Sequence, residues 1–595
     1  MDPLVSVIMP AYGQAPFVPR ALGGLLAQTE QRWELVVVDD GSPDDVAAAL
    51  PDDPRIRVER HAANRGLGVA LNTGLDAVRA PLVAYLPCDD LWFPPHLETL
   101  LATLGDAPEA EMAIADLDLA GDDSGGPDPW PQLVQVAHRA GPERWVERRE
   151  LESDDLARLF WDRLPGPRRT TGEATCRWVA HPGQRHRALR PSCGGGLNVF
   201  RVRYGITEPL RIDTEETGVV DEVARYARFR ERPAPGPAAD GLTILLVGEL
   251  AHNPERILAL AERGHRLLGL WTPDGLGFHT VGPLPFEGVE ELDATDWRAA
   301  IRRAKPDVIY ALLNWRAVPF AHAVLDAGLG IPFVWHFKEA PQRSILAGDW
   351  PRLADLVSRA DACLLSGAAE RDWFQAALPG RLDPARTHVM DGDLPKRDWL
   401  DAAPAPRLSA ADGMPHVALL GRAAGIEPAD LVRFTDGGVH AHLHGPATAW
   451  AREAAGLAPD RIHIEGVVEP ARWVSELSRY DAGLLHTARS TNGGDVRRAT
   501  WDDLDLPARL PILLAAGLPP IARGNPGAVV AVEAVLAELG CGLIYEELED
   551  LLERLVREIR GRELGDRAWA WREELTFDHH ADRLVGILRT AADSR

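Results

Sequence analysis

The sequence predicts an α/β protein built from parallel sheets covered by helices. Strand-length runs such as LVSVIMP and LTILLVG are apolar except for one hydroxyl residue each, and stretches with a helical spacing of apolar residues follow them. Strands buried on both faces read as continuous apolar runs, as in parallel sheets. Because the carboxyl ends of such strands meet at one edge of the sheet, we expect ligand-binding residues at that edge.

Two stretches rich in proline and alanine divide the chain. They read ERPAPGPAAD (231–240) and DAAPAPRLSAADGMP (401–415), and this composition opposes both helix and strand. The 595 residues are also too many for one compact core. We therefore expect three domains, at residues 1–235, 241–405 and 415–595.

Composition narrows the possible function classes. The formal net charge of −25 argues against a nucleic-acid partner, which requires a basic surface. The five cysteines form no C-x-x-C pair, which argues against a zinc site or a disulfide framework. The sequence shows neither the features of a signal peptide nor an apolar segment of membrane-spanning length. We expect a cytoplasmic protein whose membrane contact, if any, is peripheral.

The first block begins with a strand, LVSVIMP, and a helix, PFVPRALGGLLAQ. The apolar spacing of this helix places Phe17, Ala21, Leu22, Leu25 and Leu26 on one face. The strands ELVVVDDGS and PLVAYLPCDD follow. Polar or turn residues end the three strands in turn: Pro10, Ala11 and Tyr12, then Asp39 and Asp40, then Asp89 and Asp90. A solvated loop explains any one of these ends, but it explains all three together less well.

The second and third blocks repeat the alternation of strands and helices. The helical candidates include PERILALAERGH, WRAAIRRA and PARLPILLAAG, and residues from about 549 to 592 read as helical with many i,i+4 pairs of opposite charge. The strand candidates are LTILLVGEL, RLLGLW, DVIYALL, IPFVWHF, ADACLLS, HVALLGR, VHAHLHG, RIHIEG and DAGLLH. Two further α/β domains are therefore expected.

Two segments of the first block resemble the opening of family 2 glycosyltransferases, which have the GT-A fold. They read VSVIMPAYGQAPFVPRALGGLLAQTEQRWELVVVDDGSPDD and NRGLGVALNTGLDAVRAPLVAYLPCDDLWFPPHL. The resemblance implies that the backbone of Pro10, Ala11 and Tyr12 contacts the nucleotide base. It also implies that Asp39 and Asp40 bind the base or the ribose.

The pair Asp89 and Asp90 stands where the family keeps its Asp-x-Asp motif. The resemblance implies that Asp89 binds ribose or metal and that Asp90 binds metal. Mg²⁺ or Mn²⁺ is typically held by one or two carboxylates together with substrate phosphate. Many members of the family have a further Asp at the position of Pro87, so this chain keeps only the adjacent pair.

A carboxylate is also expected to act as the base that activates the acceptor hydroxyl. In WVERRELESDDLARLFW, Asp154 and Asp155 open a helix and are the candidates. Charge–dipole placement at a helix N-terminus explains the same two residues about as well. Further on, four residues are candidates to line the acceptor or diphosphate side: His181, Gln184, Arg185 and His186. A surface turn is an equally plausible interpretation.

Several segments from residue 241 onward resemble family 4 or related GT-B glycosyltransferases. They include AKPDVIYALL, HVALLGR and PARLPILLAAGLPPIA. These enzymes pair two Rossmann-like domains. The resemblance implies that Gly421, Arg422 and Arg509 grip the donor diphosphate without a metal. Ile512 stands where the family has a ribose-binding Glu, which favours an unusual donor, another way of holding the ribose, or a lost activity.

Taken together, the residues predict a two-module glycosyltransferase with a nucleotide-sugar donor and a glycan or glycolipid acceptor. The GT-A module is expected to be inverting and metal-assisted, and the GT-B module to need no cofactor. In the alternative, only the GT-A module is catalytic and the second part binds the acceptor or acts as a scaffold. A sugar nucleotidyltransferase requires a Gly-rich, basic loop after the first strand, and PAYGQAPF is not one.

Overall fold

The computed structural model describes residues 2–594 except 119–129, 191–192, 207, 216–217, 225–226, 228–231, 233–234, 249–254, 272–287, 401, 422, 424, 446–447 and 486–487. The chain separates into two units, Met1–Ala224 and Arg225–Arg595. None of the helices in the described ranges has the length and apolar composition needed to span a membrane.

The first unit contains an eight-stranded sheet and a three-stranded sheet. The strands are β1 (Val5–Ala11), β2 (Trp33–Asp39), β3 (Ile56–Arg60), β4 (Leu82–Tyr85), β5 (Leu91–Trp92), β6 (Met112–Leu117), β7 (Val136–Arg139), β8 (Glu152–Ser153), β9 (Arg168–Arg177), β10 (Arg211–Thr214) and β11 (Gly218–Asp221). The larger sheet has the order β3-β2-β1-β4-β7-β6-β9-β5, and the smaller has the order β11-β10-β8.

The expected all-parallel sheet is correct only for the first half of the larger sheet. Strands β1 to β4 pair in parallel, whereas β7 pairs antiparallel with both β4 and β6. Strands that follow one another in the sequence, such as β6 and β7, can pair antiparallel. The sheet is therefore mixed, and the predicted strand ends after β1, β2 and β4 lie at one edge.

The helices whose bounds the structure describes in the first unit are α1 (Val18–Leu26), α2 (Leu67–Ala77), α3 (His96–Asp106), α4 (Leu156–Trp161), α5 (Arg185–Leu189) and α6 (Leu197–Tyr204). All residues of β1 and β2 are buried. Helix α1 buries Val18, Ala21, Leu22 and Leu25, so three residues of its predicted apolar face lie in the core. Short 3₁₀ turns occur at Ala47–Ala49 and Leu133–Gln135.

The second unit contains two sheets, and all the strand pairs described in them are parallel. The first consists of β12 (Thr243–Gly248), β13 (Arg266–Trp271), β14 (Val289–Glu291), β15 (Val308–Leu313), β16 (Phe333–Phe337), β17 (Ala362–Leu365) and β18 (Thr387–Val389). The second consists of β19 (His416–Leu420), β20 (His440–His444), β21 (Ile462–Ile464), β22 (Ala482–Leu484), β23 (Pro520–Arg523) and β24 (Leu543–Tyr545). The predicted strands are confirmed.

The strand orders of the two sheets are β14-β13-β12-β15-β16-β17-β18 and β21-β20-β19-β22-β23-β24. In each sheet the direction in which successive strands are added reverses at one point. This point lies between β12 and β15 in the first sheet and between β19 and β22 in the second. Ligands of open α/β sheets bind outside the carboxyl ends of the strands at such a reversal.

The helices of the second unit are α7 (Glu255–Glu262), α8 (Trp297–Ala304), α9 (Val318–Asp326), α10 (Gln342–Leu346), α11 (Trp350–Arg359), α12 (Ala368–Ala377), α13 (Ser409–Asp412), α14 (Pro428–Asp436), α15 (Ala449–Leu457), α16 (Trp473–Leu477), α17 (Trp501–Leu504), α18 (Arg509–Ala515), α19 (Ala531–Leu539), α20 (Leu548–Gly561), α21 (Glu563–Trp571) and α22 (Phe577–Asp593). Helix α22 returns to the seven-stranded sheet, where Phe577 and Leu584 share a buried cluster with Ile244 and Tyr310.

Candidate active site

A cavity of about 510 Å³ opens in the first unit at the carboxyl edge of β1 and β4. Its lining includes the ends of both strands, with Ala11, Tyr12 and Asp89, and several residues from later in the chain. The charged side chains that line it are Asp40, Asp89, Arg148, Arg185 and Arg203, together with His181. All three predicted strand ends therefore contribute residues to the lining of one cavity, the third through Asp40.

Asp40 organises a loop that forms part of the wall of the cavity. Its carboxylate accepts hydrogen bonds from the backbone N–H groups of Arg65 (2.9 Å) and Gly66 (2.8 Å) and from Asn64 Nδ2 (2.8 Å). His61 Nδ1 lies 2.6 Å from the same group. The oxygens of Asp40 are thus engaged with protein groups, and the residue shapes the cavity that Asn64 also lines.

Asp39 lies beneath this loop and is 1% exposed. Its Oδ1 accepts the N–H of Ser42 at 2.8 Å, and Arg60 Nε lies 3.3 Å from Oδ2. The turn between them requires glycine, because Gly41 has φ +71° and an added Cβ would stand 2.4 Å from the Ala63 carbonyl carbon. Asp39 is not among the lining residues, and its role in binding base or ribose stays a prediction.

Asp89 faces the cavity and Asp90 lies behind it. Asp89 Oδ2 accepts a hydrogen bond from Gln14 Nε2 at 3.0 Å and lies 2.8 Å from His181 Nε2. Asp90 is 4% exposed, and its Oδ1 accepts the N–H of Val179 at 2.9 Å. Burial, and then the charge of Asp89, raise the pKa of Asp90 well above the usual range.

This arrangement fits a divalent cation. Two adjacent carboxylates, one of them buried, disfavour each other's charge, and a hard cation relieves that repulsion. The donor set consists of oxygens, which Mg²⁺ and Mn²⁺ prefer. The adjacent pair Asp89 and Asp90 can therefore hold the metal that the sequence predicts, with Asp89 as the member that reaches the cavity.

Three arginines place positive charge around the cavity. Arg148 donates to Asn64 Oδ1 (2.6 Å) and to Glu152 Oε1 (2.8 Å). Arg185 donates to the Ser153 carbonyl (2.7 Å) and pairs with Glu152 Oε2. Burial favours protonation of Glu152, but Arg185 and Arg148 outweigh it and hold the pKa of this carboxyl below its usual value. The anchored guanidiniums are pre-organised to bind phosphate oxygens.

Aromatic rings complete the lining. The rings of Tyr12 and Tyr204 lie 5.4 Å apart at an angle of 31°, and Phe17 lies 5.0 Å from the ring of His181. Arg203, the residue before Tyr204, donates to the backbone carbonyls of Gly183 and Gln184. The cavity thus combines flat apolar surface with cationic groups, which suits a nucleotide with a charged diphosphate.

Neither predicted base lines the cavity. Asp154 is paired with Arg190, whose Nε lies 2.5 Å from Oδ2, and the Asp154 side chain is 2% exposed. Asp155 precedes α4 and pairs with Arg158 Nε at 2.5 Å. Asp155 is the N-cap residue of α4, without a side-chain capping hydrogen bond, so its position agrees with the charge–dipole alternative. The role of these residues as base stays a prediction.

The sequence did not single out Arg148, Arg203 and Tyr204. Arg148 is 84 positions from Asn64, its hydrogen-bond partner, and no local pattern marks such a contact. Arg203 and Tyr204 end the helix that follows the glycines of RPSCGGGLN. Those glycines were a visible signal for a loop that lets a helix approach the site, whereas the individual side chains carried none.

The second unit has a cavity of about 560 Å³ at the carboxyl edge of its six-stranded sheet. Arg523, Tyr545 and Leu484, which end three of the strands, contribute to its lining, as do Arg489 and Glu547. Three arginines and four carboxylates line it, so the cavity carries charge of both signs beside the strand ends, where ligands of parallel sheets bind.

The residues predicted to grip a donor diphosphate in this unit are placed differently. Arg509 begins α18 and donates from Nη1 to the Leu420 carbonyl at 2.9 Å; it is not among the residues lining the 560 Å³ cavity. Arg422 lies outside the described residues. Ile512 packs against the apolar cluster that contains Leu510 and Leu513.

Comparison with known proteins identifies the first part of the chain. Residues 6–145 match Glycosyl transferase family 2, and this range contains Tyr12, Asp40 and Asp89. The α/β fold of the first unit therefore includes a GT-A-like nucleotide-sugar transferase domain, as the resemblance predicted. The match ends before Arg148, so it covers only part of the cavity lining.

Several similar proteins with curated names are named as glycosyltransferases or as polysaccharide biosynthesis proteins. The uncharacterized glycosyltransferase EpsJ of Bacillus subtilis (strain 168) is 42% identical over 94 residues, which are 15% of this chain and 27% of EpsJ. The succinoglycan biosynthesis protein ExoO of Rhizobium meliloti (strain 1021) is 38% identical over 120 residues, which are 20% of this chain and 34% of ExoO. The chain thus spans about a third of the length of these relatives. The predicted enzyme class, a glycosyltransferase, is confirmed for the matched domain.

Solved structures are similar at low identity. Staphylococcus aureus TarS 1–349 in complex with UDP-GlcNAc is 18% identical, with a TM-score of 0.28 over 32% of this chain and 62% of that chain. Anabaena Alr3699/HepE in complex with UDP-glucose is 15% identical, with a TM-score of 0.38 over 59% of this chain and 99% of that chain. The fold assignment therefore stands on the sheets and helices of this chain itself.

Proposed function

We propose that the first unit transfers a sugar, with inversion and with the help of a divalent cation, from a nucleotide-sugar donor to a glycan or glycolipid acceptor. The observation that carries this proposal is the 510 Å³ cavity, which Asp89 lines together with Arg148, Arg185 and Arg203. A carboxylate that can hold a cation and guanidiniums that bind phosphate are the groups that a departing nucleoside diphosphate requires.

Each side chain has a task in this proposal. The backbone after β1 and the ring of Tyr12 hold the base, with Tyr204 beside it. Arg148, Arg185 and Arg203 bind the diphosphate and stabilise the negative charge that develops as it leaves. Asp89 and Asp90 would hold Mg²⁺ or Mn²⁺, which would supply Lewis-acid stabilisation of the same charge.

The acceptor hydroxyl attacks the anomeric carbon from the face opposite the leaving diphosphate, and a base takes its proton. We propose Asp154 or Asp155 for this role. Each carboxylate is held by an arginine, Arg190 or Arg158, so the active carboxylate must exchange that partner for the acceptor.

Turnover of nucleotide sugars tests this proposal. Wild type, Asp89→Asn and Asp106→Asn are assayed with UDP-, GDP- and dTDP-sugars in Mg²⁺, Mn²⁺ or EDTA; Asp106, exposed at the end of α3, is the matched control. We expect metal-dependent turnover that Asp89→Asn lowers by at least about 100-fold, in the range of removing a transition-state charge stabiliser, while Asp106→Asn is unaffected. Turnover that survives both EDTA and Asp89→Asn would overturn the proposal.

For the second unit we propose a GT-B pair of Rossmann-like domains that takes a second nucleotide sugar. Its two parallel sheets, and the cavity at the carboxyl edge of the second sheet, support this proposal. The alternative is a module that binds the acceptor without catalysis. Ile512 favours the alternative, because an isoleucine packed in an apolar cluster offers a ribose hydroxyl no hydrogen bond.

Binding stoichiometry separates these two possibilities. The full chain is titrated with each nucleoside diphosphate, before and after Arg523→Gln and Asp89→Asn. A second donor site predicts two equivalents, of which Arg523→Gln removes one and leaves the other. One equivalent, weakened by Asp89→Asn and insensitive to Arg523→Gln, would show that the second unit binds no donor.

A further inference from the structure

A stripe of histidines crosses one face of the six-stranded sheet in the second unit. Residues at i, i+2 and i+4 of a strand share a face, and the segment HAHLH of β20 places three imidazoles in a row. The strand register sets His416 of β19 opposite His440, and His463 of β21 opposite His442. The histidine stripe consists of His416, His440, His442, His444 and His463.

One end of the histidine stripe has the geometry of a metal site. Each of Asp412, His416 and His440 offers a ligand atom, and these atoms all lie within 4.8 Å of one another. His416 Nε2 is 3.0 Å from Asp412 Oδ2. Within the described part of the chain, this is the one group of three such ligands. A tetrahedral Zn²⁺ site has ligand atoms about 3.4 Å apart, so small rotations of these side chains would close the set.

The remaining histidines supply the outer partners that a metal site requires. His416 Nδ1 lies 2.9 Å from His442 Nε2, and His442 Nδ1 lies 2.7 Å from Glu465 Oε1. His440 Nδ1 lies 3.1 Å from His463 Nε2. In metal centres, a ligating imidazole is typically oriented by a hydrogen bond at its other ring nitrogen, often in a chain that ends on a carboxylate. Both candidate imidazoles have such a partner here.

The candidate metal site is open to solvent and lies at one edge of the six-stranded sheet. His416 is buried, His440 is half-buried and Asp412 is exposed, so a cation can enter from solvent while the imidazoles stay fixed. His416 and His440 are the first residues of β19 and β20. The 560 Å³ cavity lies at the opposite edge, where strands of the same sheet end. The site is therefore separate from any donor-binding role of this unit.

We propose that Asp412, His416 and His440 bind one divalent transition-metal ion, Zn²⁺, in a structural site. Imidazole and carboxylate are ligands that zinc accepts, and water would complete the coordination. The ion would link α13, which ends at Asp412, to the first residues of two neighbouring strands. The argument against zinc from the cysteines does not apply, because this donor set contains none.

Metal binding to the full-length protein tests the proposal. The chelator-treated chain is titrated with Zn²⁺ by calorimetry, and its melting temperature is recorded with and without Zn²⁺. Asp412→Asn is the main variant. In the wild type, Asp412 Oδ1 accepts the N–H of Met414 at 2.9 Å, and the amide oxygen of the asparagine can still accept it. His440→Gln is the second variant. Asp436→Asn, at the exposed end of α14, is the matched control, and Asp89→Asn removes the cation site proposed in the first unit.

We expect one equivalent of Zn²⁺ that persists in Asp89→Asn and Asp436→Asn and that raises the melting temperature. Asp412→Asn and His440→Gln are each expected to weaken this equivalent by at least tenfold while the chains stay folded. Zinc affinity and thermal shift unchanged in both variants, or no zinc bound by the Asp89→Asn chain, would overturn the proposal. Each of these experiments measures zinc binding and its effect on stability, not donor binding. The result can therefore be interpreted even if the proposed glycosyl transfer is wrong.

Discussion

Asp89 Oδ2 lies 2.8 Å from His181 Nε2, across 92 positions of the chain. The contact joins the acidic pair that follows β4 to the segment that precedes α5, a part of the chain beyond the family match. His181 also lines the cavity. It therefore orients the carboxylate that we assign to the cation.

We expect His181→Asn to lower kcat/KM for the donor by about 10- to 100-fold, the usual cost of removing the outer partner of a metal ligand. The loss should shrink as Mn²⁺ is raised, because the defect lies in cation affinity. Steady-state kinetics over a Mn²⁺ series measure this. His579→Asn, on the exposed face of α22, serves as control, and an equal loss at all Mn²⁺ concentrations would argue against the orienting role.

Arg185 is expected to act on both affinity and stability. Arg185→Gln should weaken nucleoside diphosphate binding by about tenfold or more, since a charge-assisted hydrogen bond contributes about 1.5–3 kcal/mol. It should also lower the melting temperature, because Glu152 is 2% exposed and would keep only Arg148. Calorimetry and thermal unfolding measure the two effects.

The double variant Arg185→Gln/Glu152→Gln separates these effects. It removes the buried charge together with its partner, so stability should recover while affinity does not. The control is Arg149→Gln, whose side chain is 79% exposed. Wild-type affinity in Arg185→Gln would remove this residue from the proposed diphosphate site.

The two candidate bases are distinguished by matched amide variants. If one of them takes the acceptor proton, Asp154→Asn or Asp155→Asn lowers kcat by about 10²- to 10⁴-fold, the range for general-base catalysis, with little change in donor affinity. Asp106→Asn, exposed at the end of α3, is the control. Assays of kcat and of donor binding measure both quantities. Full activity in both variants would mean that neither residue is the base.

Glu370 predicts a pH dependence of stability in the second unit. Burial raises the pKa of this carboxyl to about 8, although it accepts hydrogen bonds from the backbone and hydroxyl of Ser366. The native chain therefore binds a proton that the unfolded chain releases near pH 4.5. This contribution is complete below the unfolded pKa and is lost as the pH rises toward 8.

We expect the free energy of unfolding to fall between pH 5 and pH 8 by up to about 1.4 kcal/mol per pH unit from this group. In Glu370→Gln that slope should be absent, because an amide does not titrate and can still accept from Ser366. Denaturant unfolding at several pH values measures it. The same slope in wild type and variant would contradict the assignment.

The sequence predicted strands better than it predicted pairing. The runs that became β1, β12 and β19 are apolar and bounded by turn residues, so local composition determines them. The antiparallel insertion of β7 beside β4 depends on contacts between distant segments, which no local pattern encodes. The packing of the last helix against the seven-stranded sheet likewise joins segments that are far apart in the sequence.

The candidate site divides in the same way. Tyr12, Asp40 and Asp89 follow strands, so topology alone brought them to one edge. Arg148 and Arg203 come from irregular or short elements, and their position depends on long-range contacts with Asn64 and Gly183. The engagement of Asp40 by the loop at residues 61–66 also depends on such contacts, since four groups from that loop surround it.

The central claim is that the 510 Å³ cavity binds the donor nucleotide. The most direct measurement is a calorimetric titration with UDP, GDP and dTDP in Mn²⁺, made in an Arg523→Gln background so that the second cavity is disabled. The account predicts one equivalent of one nucleotide, weakened by about 10- to 100-fold in Arg203→Gln and unchanged in Arg149→Gln. No binding by any of the three nucleotides, or equal affinity in Arg203→Gln, would contradict it.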